Sequence, residues 1–264
     1  AMGYLSAVIS LAARFDHVKT DKITARQLTL LKRATSLPAP QDDQKRIRLA
    51  SLSAKLEGMY GAGKKCNPQG QCRDLEQLET VIRESDDPAV LKQAWLDWRE
   101  VAVPMRPLYT ELVTLANEGA QTLNFRDLGD LWRSQYDMRP SDFEAEMMRL
   151  WDQVKPLYES LHCHVRAKLN DKYGDQLVPL DQAIPAHLVG NMWAQDWSQL
   201  YPLMIPAPKQ PSLDVTAALI DKKYKPLSLT KLAESFFISL GFEPLPPTFW
   251  TRSLFTKPVN RDVV

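Results

Sequence analysis

The 264-residue sequence predicts a mainly α-helical fold, and three observations support that prediction. Apolar residues recur at the spacing of a helix face in several long segments. Helix start and stop signals flank those segments. No segment shows the alternation of apolar and polar residues that is typical of a half-buried strand. With 44% hydrophobic residues, the chain is also long enough to bury a large core.

The first clear helix signal is Asp87-Pro88, because aspartate suits the N-cap position and proline the first helical turn. Apolar residues at helical spacing follow this signal from residue 90 to residue 102. Pro104 and Pro107 should break or kink the helix, since an interior proline removes a backbone hydrogen bond and clashes with the preceding turn. We expect the helical pattern to resume after them.

A longer amphipathic helix is predicted to begin at residues 141–144, whose sequence SDFE is a capping box. Its apolar stripe runs from Met147 to Val165, with an expected bend at Pro156. Ser228 should open a later helix, and Gly241 should stop it. The inward positions of that helix are predicted to be Leu229, Leu232, Phe236 and Leu240.

Charge, hydropathy and motifs exclude several classes of function. The chain has 33 basic and 32 acidic residues, so it lacks the basic excess of nucleic-acid-binding proteins, and we expect no such partner. No stretch approaches the ~18 consecutive apolar residues of a membrane span, and none is expected in this segment. The sequence contains no H-E-x-x-H motif, no phosphate-binding glycine loop and no G-x-S-x-G elbow. The residues alone therefore define no self-sufficient catalytic centre.

Three cysteines and two neighbouring histidines are candidates for covalent or metal chemistry. Cys66 and Cys72 flank the turn-rich loop CNPQGQC, and they could form a disulfide or remain two free thiols. Cys163 is expected to be a buried free thiol on a helix. His162 and His164 lie two positions apart on that predicted helix, so they face different ways and are poor candidates for one metal site. Packing or capping is the favoured interpretation for both histidines.

One segment is informative as a sequence motif, beyond the chemistry of its individual residues. Residues 184–197, IPAHLVGNMWAQDW, resemble the strongest signature in the N-terminal half of the angiotensin-converting-enzyme family of zinc peptidyl-dipeptidases. The chain is identified on this basis as resembling a bacterial-type member of the family. Further matches follow the family's order along nearly the whole chain: CNPQGQCRDLE (66–76), WLDWRE (95–100), LWRSQYD (131–137), PLYESLHCHVRAKL (156–169) and ESFFISLGFEPLPPTFW (234–250).

The resemblance implies that residues 1–264 form the N-terminal part of a single peptidase domain, within a large all-helical metallopeptidase with a deep central cleft. The family's zinc-binding helix would then follow residue 264, in a C-terminal half that this segment needs as its partner. We expect zinc as the cofactor, peptides with a free C-terminal carboxylate as substrates, and an inactive isolated segment. A secreted or periplasmic location is expected as well, because Cys66 and Cys72 match a disulfide of the family.

The resemblance also gives roles to individual residues. Gln195 matches a glutamine that donates a hydrogen bond to the substrate's C-terminal carboxylate through its side-chain amide. Glu76 matches an acidic residue near the prime-side pocket, which binds the part of the substrate that is released. Arg99 and Tyr136 match ligands of two chloride ions, so chloride is a candidate second cofactor.

Two alternatives stand beside the peptidyl-dipeptidase. The first is a non-catalytic helical binding or interaction protein on the same scaffold. The second is a carboxypeptidase of the same family, which removes one residue instead of two. Such carboxypeptidases carry an arginine at the position of Gln195, so the glutamine favours the release of dipeptides.

Overall fold

In the part of the chain that the structure describes, the protein is built from helices and one minimal β-hairpin. The computed structural model describes residues 2–205 and 215–260, and in these residues it confirms the predicted mainly α-helical fold. The two strands, β1 (Lys65–Cys66) and β2 (Cys72–Arg73), pair antiparallel. Short 3-10 turns lie at Val103–Met105, Ala186–Leu188 and Ser198–Leu200. The helices are α1 (Met2–Ala13), α2 (Lys22–Lys32), α3 (Asp43–Gly61), α4 (Leu75–Glu84), α5 (Pro88–Ala102), α6 (Arg106–Thr122), α7 (Leu128–Ser134), α8 (Pro140–Tyr173), α9 (Tyr201–Met204), α10 (Val215–Asp221), α11 (Pro226–Ser239) and α12 (Pro247–Arg252).

The chain forms two compact units, Ala1–Met204 and Ile205–Val264. In the second unit none of the described residues is buried. The predicted inward positions of α11 are therefore wrong, and all four are exposed: Leu229, Leu232, Phe236 and Leu240. Size contributes to this, because a body as short as Ile205–Val264 buries a smaller fraction of its surface than a larger domain does.

Helices α3, α6 and α7 enclose one hydrophobic core of the first unit, which we call the α6 core. Arg48 on α3 forms a two-pronged ion pair with Glu111 on α6, at 2.7 and 2.6 Å. Lys45 and Glu118 pair across the same two helices at 2.6 Å. Because both pairs are exposed, each contributes only about 0–1 kcal/mol to the stability of the fold. The buried members of the α6 core are Leu49, Leu52, Leu115, Ala116, Leu128 and Leu131.

A second hydrophobic core joins α4, α5 and the end of α8 to the segment that follows α8. We call it the loop core, because the loop of residues 184–197 supplies part of it. Trp98 on α5 lies in this core and meets the ring of Tyr60 edge-on at 5.2 Å. Its buried members are Leu78, Ile82, Leu91, Ala94, Trp98, Val165, Leu169, Val178, Leu188, Val189 and Met192.

The start and end of α5 confirm the prediction from sequence. Asp87 is the N-cap, and its Oδ1 accepts the backbone N–H of Ala89 at 2.8 Å. The helix ends at Ala102, and the 3-10 turn Val103–Met105 separates it from α6. The two prolines therefore break the helical run as expected.

The starts of α8 and α11 differ from the prediction by a few residues. The predicted capping box is wrong, because Arg139 is the N-cap of α8 and Pro140 takes the first helical position. Proline suits that position, since its φ is fixed at a helical value and its missing N–H needs no partner. In α11, Pro226 takes the same position, and the Ser228 hydroxyl accepts the N–H of the residue before that proline at 2.7 Å. Gly241 follows the end of α11 with φ of 94°, as its predicted stop role requires.

The apolar stripe of α8 is exposed over most of its length. The helix continues through Pro156 to Tyr173, and Val165 and Leu169 are its buried residues. Leu157, near the middle, is 76% exposed. Periodicity thus predicted the helix but not its burial. Among the helices that the structure describes, none has both the length and the apolar character needed to cross a membrane.

Candidate functional site

The loop of residues 184–197 is anchored by its backbone as well as by its side chains. Leu188, Val189 and Met192 are buried in the loop core. Gly190 has φ of 87°, in the left-handed region that favours glycine. A Cβ atom on Gly190 would lie 1.8 Å from the carbonyl oxygen of Asp196, so the loop closes on itself at this point. No other residue type fits position 190 without moving the backbone.

Asn191 holds the turn that carries Gln195. Its Oδ1 accepts the backbone N–H of Trp193 at 3.2 Å and that of Gln195 at 3.1 Å. Ala194 lies between them in the left-handed region, with φ of 55°. The Gln195 side chain is exposed, whereas its backbone is fixed by these bonds. The structure therefore presents the Gln195 amide on a well-braced loop.

Arg99 links helix α5 to this loop. Its Nη2 donates to the carbonyl oxygen of Met192 at 2.5 Å, and its Nη1 donates to that of Trp95 at 3.4 Å. The guanidinium carbon lies 3.8 Å from the centre of the Trp95 ring, a cation–π arrangement. In the described part of the chain, no carboxylate lies within ion-pair distance of Arg99. Burial lowers the pKa of Arg99 from its ordinary value, because partial desolvation disfavours the charged form.

Glu76 lies in the first turn of α4, with an exposed side chain. A capping box fixes the start of this helix. The Asp74 side chain accepts the backbone N–H of Gln77, and the Gln77 side chain accepts the backbone N–H of Asp74. The neighbouring Leu75 packs against the loop core. Helix α4 thus packs on the same core that supports the loop of Gln195 and carries the exposed Glu76 side chain in its first turn.

Tyr136 lies apart from the other three predicted residues. It follows α7, whose leucines belong to the α6 core and not to the loop core. Its ring stacks on Phe143 at 4.3 Å, and the side chain is 62% exposed. The next residue, Asp137, receives two hydrogen bonds from Arg26, at 2.5 and 2.7 Å. The structure therefore places Glu76, Arg99 and Gln195 on elements of the loop core, whereas Tyr136 is exposed and follows a helix of the α6 core.

The cysteines and the histidines of α8 have separate roles. Cys66 and Cys72 form a disulfide that closes the hairpin of β1 and β2, so the predicted bond is confirmed. Cys163 is a free thiol but is exposed, so the expectation of a buried one was wrong. The exposed stripe of α8 explains the difference, because the helix surface around Cys163 is covered by little protein.

His162 packs between two aromatic rings, those of Tyr158 at 4.2 Å and Trp197 at 4.7 Å. The Nε2 atom of His164 instead lies 3.2 Å from the carbonyl oxygen of Met204. Burial lowers the pKa of His162, and the nearby Arg166 charge lowers it further. The contacts of His162 therefore agree with the packing interpretation. The imidazole rings of His162 and His164 have different partners.

Comparison with known proteins decides the family. A family model described as angiotensin-converting enzyme matches residues 3–264 of the chain. The chain belongs to the angiotensin-converting enzyme family. Members of this family are zinc-dependent metallopeptidases. The match covers both the loop of Gln195 and the helices that brace it.

Individual relatives agree with the family model. The chain is 40% identical over 232 residues to angiotensin-converting enzyme of Oryctolagus cuniculus, which covers 86% of the chain and 18% of the relative. The enzyme of Theromyzon tessulatum is 39% identical over 232 residues, covering 86% of the chain and 37% of the relative. Angiotensin-converting enzyme-like protein Ace3 of Mus musculus is 34% identical over 249 residues, covering 94% and 33%. The chain thus spans less than half of each relative, and these animal proteins give no support to the expected bacterial type.

Sequence reasoning missed two residues of the loop, Gly190 and Asn191. The Gly-Asn pair was a readable signal, because glycine allows a positive φ and an asparagine side chain readily accepts backbone N–H groups two or more residues ahead. Arg99 directly follows Trp98, and an arginine among aromatic residues must find an acid, an anion or water. The structure gives it two carbonyl oxygens and a ring instead.

Proposed function

We propose that these residues form the carboxylate-binding wall of a zinc-dependent peptidyl-dipeptidase, which as a whole protein releases C-terminal dipeptides from oligopeptides. Family membership supports the class of reaction. The observation that supports the role of this chain is the Gln195 side chain, exposed on a loop whose backbone Asn191 and Arg99 hold in place. The substrates proposed are peptides with a free C-terminal carboxylate.

The chemistry of Gln195 suits that role. Its side-chain NH2 group can donate to one carboxylate oxygen, and a hydrogen bond to a charged group contributes about 1.5–3 kcal/mol net. A peptide amide at the C-terminus has no charge to offer, so it gains less. Anchoring the C-terminus also sets which peptide bond reaches the reacting centre, which is catalysis by orientation. Gln195 would therefore act through placement of the substrate.

The residues described here do not fit a zinc site. No group of three histidine, cysteine, aspartate or glutamate side chains lies together within residues 2–205 and 215–260 in a way that could hold a metal. Zinc is accordingly proposed for the whole family protein, and no catalytic step is assigned to these residues. We expect the purified 264-residue chain to bind peptides without hydrolysing them. Zinc-dependent hydrolysis by that chain would contradict this expectation.

The carboxylate role is tested with Gln195→Ala in the 264-residue chain. Calorimetry would compare one short peptide as its free acid and as its C-terminal amide. We expect the substitution to weaken binding of the free acid about ten- to a hundredfold, the loss of one charge-assisted hydrogen bond, and to leave the amide within about twofold. Gln199→Ala, at an exposed position four residues further on, is the matched control and should change neither affinity. Equal losses for acid and amide would remove Gln195 from the proposed site.

Glu76, Arg99 and Tyr136 complete the proposal. Glu76 would attract a basic side chain of the substrate, so Glu76→Gln should weaken binding of a peptide with a C-terminal lysine more than that of its norleucine analogue.

Arg99 uses two of its five N–H groups on the Met192 and Trp95 carbonyls, which leaves donors for chloride. For Tyr136, the exposed phenol is the group that would face an anion. The expected result is a rise in melting temperature with chloride, measured at constant ionic strength. The rise should be smaller in Arg99→Met and in Tyr136→Phe, and absent when both substitutions are combined.

An extracytoplasmic location is part of the proposal. The Cys66–Cys72 disulfide lies at the surface, and disulfides of this kind persist in secreted or periplasmic proteins. Alkylation of the protein as isolated from its native source, followed by mass spectrometry, should label Cys163 and leave the other two cysteines unlabelled before reduction. Labelling of all three would contradict the proposed location.

A carboxypeptidase activity is the second candidate within the family. Residue 195 is a glutamine, which favours dipeptide release by the resemblance described above. The test uses a longer protein of the family that contains this chain. Mass spectrometry would identify the products that it releases from a peptide with a free C-terminal carboxylate. Release of single residues would contradict the use made of Gln195, and binding without any cleavage by that whole protein would favour the non-catalytic alternative.

A further inference from the structure

The backbone around Gln195 is held from inside the loop by one side chain. Asn191 Oδ1 accepts two N–H groups, and one of them belongs to Gln195 itself. A change at residue 191 would therefore be transmitted directly to the backbone of Gln195. The Asn191 carbonyl oxygen also accepts the N–H of Ala194 at 3.1 Å, so the same residue closes the turn twice.

The loop is also held from outside by helix α5. Arg99 Nη2 bonds to the carbonyl oxygen of Met192, three residues before Gln195. Met192 is completely buried, and the guanidinium is fixed in turn by the Trp95 ring. Because no carboxylate of the described chain competes for Arg99, its donors are free to serve backbone carbonyls. Arg99 therefore ties the loop to a helix of the loop core.

We propose that Asn191 and Arg99 are positioning residues that aim the Gln195 side chain at the C-terminal carboxylate of a peptide, an inference that rests on the proposed function. Both act through the backbone of residues 192–195 and need no contact with the peptide. A glutamine side chain has several rotatable bonds, so a defined position of its amide requires a rigid backbone beneath it. Binding groups must be held within about 0.5 Å of the productive geometry, which a braced backbone provides.

The first measurement is amide hydrogen exchange in the 264-residue chain. In Asn191→Ala, the N–H groups of Trp193 and Gln195 lose their acceptor and should exchange at least about tenfold faster. Asn191→Asp keeps an oxygen in the same place and should retain most of the protection. Unchanged exchange in Asn191→Ala would overturn the role of Asn191, whatever the peptide-binding results.

The second measurement is the ratio of free-acid to amide affinity, taken in chloride-free HEPES buffer so that chloride binding cannot contribute. Asn191→Ala and Arg99→Met should each lower this ratio about tenfold, close to its value in Gln195→Ala. Arg99→Met keeps an apolar chain against Trp95 but removes the donors, and Arg99→Lys should restore part of the ratio through one donor. Asn117→Ala is the matched control, since Asn117 Oδ1 accepts the N–H of Leu128 at 3.0 Å in the α6 core, and its loss should leave the ratio unchanged.

The outcomes separate the two proposals. If Gln195→Ala removes the acid preference while Asn191→Ala and Arg99→Met keep it, the positioning roles are overturned and the proposed function stands. If the unmodified chain shows no acid preference, the proposed function fails and the positioning roles fail with it. Loss of the ratio in Asn117→Ala as well would show a general effect of destabilisation and would also overturn the positioning roles.

Discussion

Replacing Gly190 by alanine tests how closely the signature loop is packed on itself. A residue with a side chain at φ near 87° is strained by about 1–2 kcal/mol, since the left-handed region crowds the Cβ atom. The new Cβ would also lie 1.8 Å from the Asp196 carbonyl oxygen and 3.1 Å from the Trp197 Cα atom. These are backbone atoms, so the loop must move, and such overpacking costs about 1–3 kcal/mol more. Gly190→Ala should therefore lower the free energy of unfolding by about 2–5 kcal/mol.

The matched control is Gly174→Ala, at the end of α8. Gly174 has φ of 85°, but no other described heavy atom lies within 4 Å of a Cβ atom built there. Urea unfolding followed by tryptophan fluorescence would give both values, and their difference isolates the clash from the backbone strain. We expect Gly190→Ala to cost about 1–3 kcal/mol more than Gly174→Ala. Equal costs would refute the close approach of residues 190 and 196.

Three further perturbations test other parts of the structure. Replacing Cys66 and Cys72 by serine should lower the free energy of unfolding by about 2 kcal/mol, because the bond closes a loop with a sequence separation of only 6; no change in the urea midpoint would contradict this. Burial lowers the pKa of His162 and of His187 below the ordinary 6.5, so the unfolded chain binds more protons and stability should fall as the pH drops below about 6.5. Substituting both histidines by glutamine should make stability depend less on pH below about 6.5. An unchanged slope of stability against pH would contradict the role of the two histidines. Asp87→Ala should lower the free energy of unfolding by about 1 kcal/mol because α5 loses its N-cap, whereas Asp87→Asn should keep most of that stability. Equal losses in the two variants would assign the effect to the charge of Asp87.

Local signals allowed much of the helical architecture to be predicted. Asp87-Pro88 marked the start of α5 correctly, because a cap and a fixed φ act within one turn of the chain. The break between α5 and α6 followed from two prolines for the same reason. The start of α8 was misplaced because two local signals competed, and Pro140 prevailed over the serine that follows it.

Long-range features could not be predicted from the sequence. The hydrogen bond between Arg99 and Met192 joins residues 93 positions apart, and no local pattern encodes it. The periodicity of α8 predicted an apolar face, but periodicity carries no information about what covers that face. The site residues came from resemblance, which placed Gln195 in a motif but did not show that Asn191 and Arg99 brace it.

The distance along the chain between α5 and its loop partner has a consequence for synthesis. Helix α5 leaves the ribosome well before the segment around Met192, because 93 residues at about 5–20 residues per second take roughly 5–20 s. During that interval Trp98 and Leu91 lack the loop residues that cover them in the finished core. The nascent chain therefore offers chaperones a transient apolar surface, and the loop that carries Gln195 is among the last parts of the first unit to form.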